Sequence, residues 1–205
     1  MSKKLLIIII ILVIVLGGAI FFLVTKNSPK GEVSNSINEY PSVSDNIDET
    51  YTVTPSKENE ENNIYIDSQY KFSFEYPKDF TATKFQEGED SNTILVQEKE
   101  SKKSFQIFIS PFDEPGPLTA ERVKQDLPDL IIKNPEQRVL KNGAKALIFF
   151  SEEPSLGEIR EIWFIYPVSG ADSNGVHNGY LYQISTYKEL DSLVAKILET
   201  WKFQE

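Results

Sequence analysis

The sequence predicts an α+β domain, a mainly antiparallel sheet with helices packed on both faces, carried behind one transmembrane helix and a disordered linker. Three observations lead there. Apolar residues are unevenly distributed: Leu5 to Val24 is apolar or Gly throughout, residues 26–63 hold 7 AVILMFWYC residues in 38, and residues 64–205 hold 56 in 142. Only the last region can bury a core, and its length fits one ordinary domain. Within it, strands alternate apolar and polar residues, and most connections are short enough for antiparallel neighbours. Two segments, ALIFF (146–150) and IWFIY (162–166), are apolar on both faces and read as strands covered on both sides.

The elements follow in order. LLIIIIILVIVLGGAIFFLV, residues 5–24, is 20 residues long. As a helix it spans roughly 30 Å, the hydrocarbon thickness. A cleaved signal peptide expects a shorter apolar run with a small-x-small site beyond it. Here Gly17-Gly18-Ala19 sits inside the run, so residues 1–25 read as an uncleaved anchor. Lys3 and Lys4 precede it, favouring a cytoplasmic amino terminus and an extracytoplasmic domain at a cell membrane. Residues 26–63, rich in Asn, Ser, Glu and Pro, read as a disordered acidic and polar linker.

In residues 64–205 a short strand at Ile64–Ile66 precedes YKFSFEY, where Tyr70, Phe72, Phe74 and Tyr76 alternate with polar residues until Pro77. Strands are predicted at 80–85, 92–98 and 104–110. DEPGP (113–117) breaks the pattern, and Thr119 caps a helix with Ala120, Val123 and Leu127 on one side before Pro128. Strands at 137–141 and 144–151 flank Asn142-Gly143, a hairpin signal expected to place both residues at positive φ. Further strands are predicted at 158–166 and 179–187. The chain closes on KELDSLVAKILETWKF, where Leu190, Leu193, Val194, Ile197, Leu198 and Trp201 take the spacing of an amphipathic helix.

That order carries a resemblance. The phrase Lys71-Phe72-Ser73-Phe74-Glu75-Tyr76-Pro77-Lys78-Asp79-Phe80 resembles the opening of PsbP-like domains, GFSFxYPxxW, with Lys71 in place of Gly and Phe80 in place of Trp. The layout over residues 64–205, from aromatic first strand to a terminal helix closing on Trp201-Lys202-Phe203, is similar too. The resemblance implies an α/β/α sandwich used mainly as a non-catalytic binding or assembly module, here in a membrane-anchored bacterial-type relative. Photosynthetic members dock on photosystem II and a nuclear-transport relative binds a small GTPase; neither partner is expected to transfer.

Composition excludes several classes. With no Cys, the chain has no disulfides, thiolate metal sites or cysteine nucleophile. A net charge of −10, divided as +2, −5 and −7 over residues 1–25, 26–63 and 64–205, argues against a nucleic-acid partner. The one histidine, His177, lies in the 171–179 loop, where Asp172, Asn174 and Gly175 form a fragment of a calcium-loop pattern without its distal Glu. Turn geometry explains that loop. No nucleophile elbow, P-loop or HExxH occurs, so no catalytic, cofactor-binding or metal residue is assigned. Most of the aromatic residues fall at strand-inward positions and are expected in the core; an exposed binding patch of Phe112 with Leu118 near DEPGP is the lesser alternative. The expected function is an extracytoplasmic binding or assembly module, attached by residues 5–24 to the membrane and by its domain to a cell-envelope protein, and not an enzyme. The alternative is a hydrolase of an envelope polymer using carboxylates among Glu152, Glu153, Glu158 and Glu161.

Overall fold

The computed structural model describes residues 51–55, 61–166 apart from 89, 102, 115 and 155, and 179–204. The predicted anchor, most of the predicted linker, and the loop carrying Asp172, Asn174 and His177 lie outside the described residues. Among the described residues no helix is long and apolar enough to cross a membrane.

Among the described residues eleven strands form two antiparallel sheets. In the smaller, β1 (Tyr51–Pro55), β2 (Asn62–Asp67), β3 (Phe72–Pro77) and β11 (Lys202–Phe203) lie side by side in that order. The larger sheet runs β4 (Phe80–Gln86), β5 (Asn92–Glu98), β6 (Ser104–Phe112), β10 (Gly179–Tyr187), β9 (Gly157–Tyr166), β8 (Lys145–Glu153), β7 (Lys133–Val139). After β6 the chain crosses to the opposite edge through α1 (Ala120–Asp126), and β10 returns to fill the gap between β6 and β9. A 3-10 turn at Lys188–Leu190 leads into α2 (Asp191–Thr200).

Alternation in the strands decides where the core sits. Tyr65, Phe72, Phe74 and Tyr76 of the small sheet meet Ile94, Ile107, Ala146, Ile148, Ile162, Phe164, Tyr182 and Ile184 of the large one, and Val194, Ile197 and Leu198 of α2 join them. The opposite face of the large sheet carries a smaller cluster, Leu147, Phe149 and Trp163 under Leu118, Val123 and Leu127. ALIFF and IWFIY supply residues to both clusters, as strands covered on two faces must.

The antiparallel sheet matches the expectation, whereas the layering differs. A β-sheet, not a helical layer, covers most of the inner face, because the aromatic alternation of β2 and β3 itself provides a broad apolar surface that pairs best with another sheet. The outer face has a helix of seven residues. The clear α/β/α sandwich expected from the sequence is therefore not formed.

Four local expectations also change. Tyr51–Pro55, inside the predicted linker, forms β1 by pairing with β2 in register from Tyr51 opposite Asp67 to Pro55 opposite Asn63; a five-residue edge strand has too little apolar content to announce itself. β7 begins at Lys133 rather than 137, with every residue exposed and a register shift between Lys133 and Glu136, so no alternation marks it. The hairpin around Asn142-Gly143 forms, but only Gly143 takes positive φ, +85°. Leu140 O accepts from Gly143 N at 2.9 Å and Leu140 N donates to Ala144 O at 2.8 Å, the pattern of a turn followed by a glycine bulge. Finally, the helix ends at Thr200 and Trp201 turns extended, φ −63° and ψ 123°. Its indole stays buried, stacked on Phe72 with ring centroids 4.4 Å apart.

Candidate functional site

Among the described residues the inner face contains one buried ion pair, between the end of β2 and the edge strand β4. Asp67 Oδ2 accepts from Lys84 Nζ and from the Tyr65 hydroxyl, each at 3.1 Å. Its Oδ1 accepts from the backbone N–H groups of Gln69 at 3.1 Å and Tyr70 at 3.0 Å. Lys84 also donates to Gln69 Oε1 at 2.8 Å and sits 4.9 Å from the Tyr70 ring centroid. Both side chains are fully buried. Such a pair is held by hydrogen bonds at every corner, which is the condition for tolerating buried charge. It ties the two sheets together and leaves nothing for a substrate to reach. Burial also pushes the Tyr182 hydroxyl well above its ordinary value, with the Asp67 charge adding to the effect.

The outer face of the large sheet carries a second buried carboxyl. Glu161 accepts from the Ser151 hydroxyl at 2.8 Å, Trp163 Nε1 at 3.0 Å and the Ser185 hydroxyl at 2.7 Å. Burial holds this carboxyl above the usual range, against the pull of those three donors. Two of the other carboxylates considered for hydrolysis, Glu152 and Glu158, lie on the opposite face. Glu152 stands opposite Glu158 across the β8–β9 hairpin, on the face that Glu161, at odd spacing from Glu158, turns away from. Glu152 pairs with Lys133 at 2.6 Å and Glu158 with Lys188 at 3.1 Å. Two carboxylates flanking one bond must share a cleft, and the sheet divides Glu161 from these two. Glu153 lies opposite Gly157 at the hairpin end.

Nor does the DEPGP region supply the alternative of an exposed patch. Leu118 is buried against α1, and Phe112 is half-buried beneath the Arg122 guanidinium, 5.0 Å from the ring centroid. Thr119 does cap α1, its hydroxyl accepting from Arg122 N at 3.3 Å. Among the described residues no group of three or more His, Cys, Asp or Glu could hold a metal.

A surface the sequence reading passed over is the outer face of β4, β5 and β6. Register places Thr81, Gln97 and Ser104 in one row, Thr83, Leu95 and Gln106 in the next, and Phe85, Thr93 and Phe108 in a third. None of the nine is charged, on a chain of net charge −10. The apolar cluster under α1 lies on β8 and β9, while here Phe85 is 42% exposed and Thr83, Leu95 and Gln106 are half-buried. The third row runs on through Gln183 and Trp163, and the buried Gln183 Oε1 accepts no hydrogen bond among the described residues. The signal was in the sequence, at the alternate positions of T-x-T-x-F, T-x-L-x-Q and S-x-Q-x-F.

No protein-family model matches the chain, and no curated protein does. A solved structure does. It is the solution structure of cyanobacterial PsbP (CyanoP) from Synechocystis sp. PCC 6803, with 10% sequence identity and a TM-score of 0.40 over 70% of this chain and 93% of that one. The likeness is one of fold and carries nothing across about partners or chemistry.

Proposed function

We propose that this chain is a membrane-anchored, extracytoplasmic binding module of PsbP-like type that docks a cell-envelope protein and catalyses no reaction. The observation that carries the binding reading is the charge-free outer face of β4–β6 on a strongly acidic chain. Interface cores are depleted in charge relative to the rest of a protein surface. Leu95 and Phe85 supply apolar contact there, and the Thr and Gln side chains of the three rows supply adaptable hydrogen bonding. The anchor reading rests on the uninterrupted run Leu5–Val24 after Lys3 and Lys4.

The test is in-cell crosslinking of the full-length chain, with a chain ending at Thr50 as the control because β1 belongs to the folded part. A near-stoichiometric partner is expected with the full chain, lost in the control and in Leu95→Glu. Equal recovery with Leu95→Glu would place the binding elsewhere. Protease treatment of intact cells is expected to digest the domain; survival until permeabilisation would reverse the orientation.

A further inference from the structure

The four sheet edges are not equivalent. An exposed edge strand presents backbone N–H and C=O groups that can pair with another chain, and proteins blunt such edges with charge, proline, bulges, inward-pointing charges or very short strands. β7 carries Lys133, Pro135 and Arg138 and a register shift. Paired antiparallel with its own copy about its central residue, it would set Glu136 against Glu136. β4 turns Lys84 inward to its buried partner Asp67. β11 is two residues long. β1 has none of these devices before its last position: Tyr51-Thr52-Val53-Thr54 is uncharged, and its pairing with β2 runs without a shift. Among the described residues β1 has a strand on one side only.

Its sequence is also symmetric about Val53. An antiparallel copy centred there sets Val53 opposite Val53 and Thr52 opposite Thr54, whichever set of backbone groups faces outward. Val–Val and Thr–Thr cross-strand pairs are favourable and no like charges meet. Val53 is 42% exposed although it lies in register with the fully buried Tyr65, so a second copy would cover an apolar side chain that the small sheet leaves at its rim.

We propose that two copies of this chain associate through β1, antiparallel about a two-fold axis at Val53, joining their small sheets into one eight-stranded sheet. A contact of five residues per chain buries far less than a standard interface. Under the membrane-anchor reading, confinement to one bilayer supplies the effective concentration that such a contact needs. The 25 residues from 26 to 50 span at most roughly 85 Å, at about 3.4 Å each. That reach lets both copies attach to the same membrane, since their amino termini leave opposite ends of the paired strands.

The absence of Cys makes the test direct. Full-length chains carrying Val53→Cys, Thr52→Cys or Thr54→Cys are oxidised mildly in membranes. Directly opposed strand residues have Cα atoms about 4.5–5.5 Å apart, within disulfide reach, whereas diagonal ones lie beyond it. Val53→Cys is expected to form a disulfide-linked dimer at least tenfold faster than either Thr variant alone. Co-expressed Thr52→Cys and Thr54→Cys should cross-link to each other at a rate approaching that of Val53→Cys. Equal rates for all single variants, or Val53→Cys resistant to oxidation while Thr52→Cys links to itself, overturns the two-fold pairing. A non-cysteine check is Val53→Lys, expected to reduce amine-independent photocrosslinked dimer at least tenfold with an unchanged thermal midpoint. Retained dimer overturns the proposal. Loss of the β1 dimer would leave the binding face on β4–β6 untouched, because the two surfaces belong to different sheets.

Discussion

Asp67 and Lys84 bring opposite charges into an interior built mainly from aromatic and aliphatic side chains, and the pair survives there because each has several further contacts. Removing one partner strands the other. Lys84→Met is expected to cost about 3–5 kcal/mol in urea unfolding. The double variant Lys84→Met, Asp67→Asn should recover at least half of that loss, and additive losses would show that the two do not act as a pair. Glu161 behaves differently, since burial raises its carboxyl above the unfolded value of about 4.3. Between the two values the folded chain keeps a proton that the unfolded chain has released. Stability from this group therefore falls as pH rises through that window and levels off above it. Glu161→Gln is expected to gain relative to the parent as pH rises from 4 toward neutrality, followed by urea midpoints at each pH. A difference independent of pH would mean that Glu161 titrates normally.

At the level of elements, short local devices decide where the chain turns. Gly143 holds φ at +85° with nothing within 4 Å of a built Cβ, so Gly143→Ala adds backbone strain without a clash. About 1 kcal/mol of destabilisation is expected from the left-handed conformation alone, and a loss above 3 kcal/mol by chemical denaturation would contradict that account. Trp201 closes α2 and stacks on Phe72 and Phe74 at centroid distances of 4.4 and 5.3 Å. The chain then adds Lys202–Phe203 to β3, so one residue joins a helix, a sheet and the core. Trp201→Ala is expected to cost about 3–5 kcal/mol, read as a lowered thermal midpoint. β7 makes the complementary point. It is wholly exposed, and its strand conformation comes from pairing with β8 rather than from its own side chains.

Across the whole molecule, the division of the large sheet's outer face into a helix-covered half and a charge-free half is what suggests a function. If β4–β6 form the binding face, Phe85→Glu should weaken partner capture by about 1.4–2.7 kcal/mol, roughly ten- to hundredfold, while the thermal midpoint stays within a degree or two. The same face predicts affinity nearly independent of salt, because no charge lies at its centre to be screened. A steep fall in capture between 50 mM and 500 mM salt would point instead to the acidic surface.

The residue order alone was enough for most strands, both helix positions, the two-sided burial of ALIFF and IWFIY, and the cap at Thr119, because these depend on periodicity and on contacts a few residues apart. The anchor and orientation are also statements about composition, and they stay proposals. What covers each face could not be read that way. Whether the aromatic side of β2 and β3 meets helices or another sheet depends on packing between segments more than a hundred residues apart. The burial of Lys84 beside Asp67 and the open face of β4–β6 likewise depend on which strands come to lie together, whereas the separation of Glu161 from Glu158 follows from alternation within β9. Alternation tells which residues share a side of a strand, but strand order and register decide which neighbours they meet, and those are properties of the folded chain.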